Sequence, residues 1–121
     1  MKYFFLPLLL TLMLGGTACQ AQKASKEKAL LQTEFKVEGV CGMCADRIEN
    51  ALSVRGVKTA QWDQDTKMAT VIYNPAKISV KKMESLVAEI GHDTEGTKAT
   101  DDAYSNLHTC CKYRDGATCD D

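Results

Sequence analysis

Between residues 33 and 99 the spacing of apolar side chains switches repeatedly between the strand period and the helix period, and few folds accommodate that succession. In Thr33 to Gly39, Phe35 and Val37 alternate with Glu34, Lys36 and Glu38, the pattern of a half-buried strand. From Ala45 to Val54 the period lengthens. Ala45, Ile48, Ala51 and Leu52 fall on one helical face, with Asp46, Arg47, Glu49 and Asn50 on the other. Arg55-Gly56 ends that helix, Gly56 being suited to the left-handed position beyond it. Val57 to Trp62 and Met68 to Tyr73 read as paired strands around the turn Asp63-Gln64-Asp65-Thr66, and Asn74-Pro75 stops the second. Ser79 is a suitable N-cap for a second helix with the stripe Val80, Met83, Leu86, Val87 and Ile90, ended by Gly91. Residues 92–99 have room for a short last strand. Strand, helix, strand, strand, helix, strand predicts an α+β, ferredoxin-like βαββαβ sandwich: an antiparallel sheet with two helices on one face. Met68 and Met83 sit inside these periodic runs and read as packing residues rather than ligands.

The flanks differ in character. Lys2 precedes the apolar run Tyr3 to Leu14, and Gly15-Gly16-Thr17-Ala18-Cys19 follows. That is the layout of a secretory signal over residues 1–18, too short for a stable membrane span. Small residues before a cysteine resemble a lipobox, in which Cys19 is lipidated and anchors the mature chain; ordinary cleavage after Ala18 or Ala21 is the other reading. Either route predicts export, and lipidation predicts a lipoprotein of the periplasm or outer membrane. Residues 19–32 are polar and Lys/Ala/Ser-rich, a linker. Losing residues 1–18 removes Lys2 and no acid, which leaves 14 basic against 16 acidic residues and a net charge of −2. That balance argues against nucleic acid as a partner.

Six cysteines are many for 121 residues. Export makes disulfides the default expectation, but residues 45–109 contain no cysteine to staple. The central pair is Cys41-Gly42-Met43-Cys44, at the junction of the first strand and helix. It can close on one soft metal ion or on itself as a disulfide. Free N–H groups at the helix start favour a thiolate there, and Gly42 is expected to let the loop bend so that both sulfurs converge. Two thiolates suit Cu(I), which accepts low coordination, whereas Zn(II) prefers four ligands.

With its flanks, the pair carries a resemblance. Val37-x-Gly39, Cys41-x-x-Cys44, Ile48-Glu49-x-Ala51-Leu52, Gly56-Val57 and Val71-x-Tyr73-x-Pro75 together resemble the heavy-metal-associated domain family. Its members include copper chaperones, domains of copper-exporting ATPases and the periplasmic mercury-binding protein. The resemblance covers residues 33 to about 98. It implies a soft-metal binder, not an enzyme, with metal held by Cys41 and Cys44 on an exposed loop. The metal would pass by ligand exchange to a metal-transporting membrane protein or another acceptor. The family's usual Gly-Met before the pair is shortened here, and Val40 takes the place of the Met. No acid precedes Cys41 directly, which leans to Cu(I) or Hg(II) over Zn(II). His92 follows Gly91 where bacterial members usually have Tyr. It reads as a third ligand or tuning neighbour, or as a solvated loop residue.

The extension 100–121 carries His108, Cys110, Cys111 and Cys119. Adjacent cysteines do not easily bond each other. The cluster reads as a second soft-metal site or a flap completing the coordination of Cys41 and Cys44. A disulfide from Cys119 to Cys110 or Cys111 is the structural counterpart. A competing function is a thiol–disulfide oxidoreductase, because Cys-Gly-x-Cys at a helix start is also the thioredoxin pattern. Against it, a hairpin rather than a parallel strand follows the helix, and Pro75 lies in a turn signal.

Overall fold

A computed structural model describes residues 29–118. The leader, the greater part of the linker, Cys19 and Cys119 lie outside the described residues. The order is β1 (Leu31–Lys36), α1 (Gly42–Leu52), β2 (Val57–Trp62), β3 (Met68–Tyr73), α2 (Val80–Glu89) and α3 (Asp101–Ser105). Two single-turn 3-10 helices follow at Thr109–Cys111 and Tyr113–Asp115.

The sheet has the order β1-β3-β2 and is antiparallel throughout. Leu31 faces Tyr73 and Lys36 faces Met68 in one ladder; Trp62 faces Ala69 in the other. This register aims Phe35, Ala69, Val71 and Tyr73 at the helices, where Ile48, Leu52, Met83 and Val87 complete the core. The turn between β2 and β3 is held by Asp63, whose carboxylate accepts the Asp65 and Thr66 N–H groups at 2.8 and 2.9 Å. Those bonds hold its carboxyl below the usual range. Ser79 caps α2 by accepting the Lys82 N–H at 3.1 Å.

The last strand is reduced to one bridge, Val37 to Thr94. Bonds from Glu38 N–H to Asp93 O (2.8 Å) and from Glu95 N–H to Lys36 O (3.1 Å) flank it, so the segment does occupy the edge beside β1. It goes no further because the chain curls on itself. Thr94 N–H donates to Thr97 O at 2.8 Å, and the Thr94 hydroxyl accepts the Thr97 N–H at 2.9 Å.

Two local expectations are corrected. Helix α1 begins at Gly42, ahead of Ala45, and Gly42 has no positive φ; a Cβ there would meet open space, so the loop does not need a glycine's freedom. Gly39 is the constrained position: a Cβ there would lie 2.9 Å from the Trp62 ring and 3.2 Å from Cys44 Cβ. The stretch after Thr100 is no separate extension either. Tyr104, Leu107 and Cys111 are buried in the same core as the sheet and helices.

Candidate metal centre

Cys41 is the N-cap residue of α1, in extended conformation (φ −147°), and its carbonyl accepts the Ala45 N–H at 3.0 Å. Cys44 lies one turn further on, at the helix end where N–H groups lack intrahelical partners. The two local features that seat it are the Gly39–Trp62 contact and the bond from Trp62 Nε1–H to Val37 O (3.1 Å), which pins the indole under the loop.

The pair is not on an exposed loop. Cys41 is half-buried, and Cys44 has 0 % exposure. What covers Cys44 is the tail. Cys111 also has 0 % exposure, and its thiol interacts with the side chains of Cys44 and Cys110. Burial, with those two neighbours, pushes the Cys111 thiol up to about 12. Cys110 lies nearer the surface, and its thiol donates to Met43 Sδ at 3.5 Å. Three thiols and a thioether therefore adjoin at one end of α1. The sequence singled out the thiols; Met43, inside the motif, was the donor it missed.

Cys41 is disulfide-bonded. Cys44, Cys110 and Cys111 are in no disulfide. Among the described residues no three His, Cys, Asp or Glu side chains form a ready metal cage.

His92 is fully buried. Its Nδ1–H donates to Glu38 O at 2.8 Å, and its ring stacks on Tyr113 with centroids 5.8 Å apart. Nε2 is then the bare lone pair, and it has no hydrogen-bond partner among the described residues. Burial lowers the pKa of His92; the Glu38 bond opposes that shift and the nearby Arg47 charge adds to it. No hydrogen bond joins the ring to Cys44 or Cys111. His108 is exposed, and its backbone carbonyl accepts the Cys111 N–H at 2.8 Å. Its position opens the 3-10 turn that carries Cys110 and Cys111.

Tyr113 and Arg114 hold the tail in place. The Tyr113 hydroxyl donates to Gly91 O at 2.7 Å and accepts the Asp93 N–H at 2.8 Å. Arg114 grips both carboxylate oxygens of Asp93 (2.7 and 3.2 Å) and reaches Ala99 O at 2.9 Å. Burial alone would raise the Asp93 carboxyl, but the Arg114 and Ala99 bonds hold it below the usual range. Gly91, at φ +104°, gives α3 room: a Cβ there would lie 2.7 Å from Ala103 O. The spacing of Tyr104, Leu107 and Cys111, three and four apart, was the one signal of this packing in the sequence.

Comparison with known proteins agrees with this geometry. The family model for the heavy-metal-associated domain matches residues 34–93. The copper chaperone CopZ of Staphylococcus epidermidis is 32% identical over 68 residues, covering 54% of this chain and all of the relative. The N-terminal domain of a potential copper-translocating P-type ATPase from Bacillus subtilis, solved in the Cu(I)-loaded state, is 35% identical with a TM-score of 0.50. It matches 52% of this chain and 81% of its own. Oxidised MerP from Ralstonia metallidurans CH34 is 28% identical with a TM-score of 0.52, over 55% of this chain and 96% of its own. The matched residues run from β1 through α2, and the chain belongs to the heavy-metal-associated domain family.

Proposed function

We propose that this protein is an exported carrier of soft metal, binding Cu(I) through Cys41 and Cys44 and passing it by ligand exchange to a membrane metal transporter. The observation that carries the reading is the pair's placement: Cys41 caps α1 and Cys44 sits in its first turn, on a domain similar to copper chaperones and to a copper-ATPase domain. Two thiolates meet the needs of Cu(I) and fall short of the four ligands that Zn(II) prefers. Hg(II), also thiophilic and content with two sulfurs, is the second cargo, supported by the likeness to MerP. The antiparallel sheet gives no support to a thioredoxin-like oxidoreductase.

The test is Cu(I) titration of fully reduced protein against a chromophoric chelator. Wild type is expected to take up one equivalent tightly. Cys44→Ser is expected to lose about 100-fold or more in affinity, beyond the 10–100-fold seen for outer-shell changes. Unchanged binding in that variant would remove the pair from the metal. Lipidation of Cys19 and location in the periplasm or outer membrane belong to the same proposal, supported by the leader composition. Expressed with its leader, the protein should partition with membranes, and Cys19→Ala should release it to the soluble exported fraction. Equal partitioning of both would dismiss the anchor.

A further inference from the structure

We propose that Cys111 is itself a metal ligand: with Cys44 it forms a second, buried thiol pair that takes Cu(I) while Cys41 is held in its disulfide. The inference rests on Cys44 being a metal residue, as in the function proposed above, and adds a ligand from outside the family domain. Three observations carry it. Cys44 and Cys111 are both fully buried and their side chains interact, and the 3.5 Å contact of Cys110 with Met43 sets the tail turn against the first turn of α1. Both are free while Cys41 is not, so this pair is the dithiol present in the structure as it stands. The surroundings are also soft: Cys110, next in the chain to Cys111, contacts the Met43 thioether at 3.5 Å.

The chemistry suits a monovalent thiophilic cation. Two thiols give up two protons and take one Cu(I), which leaves one net negative charge and transfers no electron. A doubly charged, four-coordinate ion would find too few ligands, since no cage of three or more His, Cys, Asp or Glu exists among the described residues. The tail is fixed by Tyr113 and Arg114 at Gly91, Asp93 and Ala99, through bonds that do not involve the sulfurs. Small movements at Cys111 can therefore open the S–S separation around a cation without releasing the tail.

Cysteine 13Cβ chemical shifts measured on the full, unmutated protein, isolated without reductant, provide the test. One equivalent of Cu(I) is expected to move the Cys44 and Cys111 signals together. Movement of Cys44 alone, or of neither, overturns the proposal. In parallel, Cys111→Ser in this oxidised form should weaken Cu(I) binding by about 100-fold or more, while Cys110→Ser should cost no more than an outer-shell partner, about 10–100-fold. Equal affinity of Cys111→Ser and wild type also overturns it. A fully reduced wild type that binds no Cu(I) defeats the carrier reading as a whole. A reduced wild type that binds through Cys41 and Cys44, beside an oxidised form in which the Cys111 signal stays still, defeats the Cys111 ligand alone.

Discussion

At the scale of single residues, the buried imidazole is the one with a measurable signature. His92 is enclosed, neutral and bonded through Nδ1 to Glu38 O, and charging it would place a cation near Arg47 with Asp93 as the nearby acid. Its folded pKa lies below the unfolded value of about 6.5, so the unfolded chain binds the proton first. Its contribution to stability is complete above about pH 6.5 and is lost as acid brings the pH down toward the folded pKa. Chemical denaturation between pH 7 and 5 should therefore show stability falling by up to about 1.4 kcal/mol per pH unit. His92→Gln should flatten that slope, and an equally steep slope in the variant would move the titration elsewhere. Protein-wide acid effects enter lower, where carboxylates protonate.

Among the elements, the tail turn Tyr113–Asp115 matters most, because a single cation clamps it. Arg114 reaches three backbone or carboxylate partners drawn from residues 93 and 99, and a fourth in Asp101 at 3.2 Å. Charge-assisted bonds of this kind are worth about 2 kcal/mol together when partly buried. Arg114→Ala should loosen the turn and expose Cys111, seen as faster alkylation of that thiol at neutral pH. Acid should do the same to wild type. Asp93 has a depressed pKa, so the clamp is intact above the unfolded value of about 3.9 and weakens as pH falls through the lower folded value. A disulfide reagent active in acid should find Cys111 more reactive there. Unaltered reactivity in both experiments would mean that apolar packing of Tyr104 and Leu107 holds the tail without the clamp.

For the whole molecule, the domain was legible because its elements are long enough to express a period. β2, β3 and the Ser79 cap fall where the alternation and the turn residues put them. The tail was hard to read, because α3 has five residues and one buried position, and Cys111 is carried by a separate single-turn helix. The three-and-four spacing of Tyr104, Leu107 and Cys111 is thus split between separate short elements in a polar stretch, and it marks no continuous helix. The burial of Cys44 was hidden for the same reason, since its cover is that tail. The short last strand was limited by Thr94 and Thr97 bonding each other, a side-chain preference that competes with ladder pairing. The disulfide at Cys41 also bears on the molecule as a whole. Freeing that thiol takes two electrons and two protons from an outside reductant, so loading at Cys41 answers to ambient potential as well as to metal supply. For a two-electron couple, a change of about 30 mV shifts the ratio of open to locked molecules tenfold. Two compartments holding the same copper but differing by that little would fill this protein to different extents.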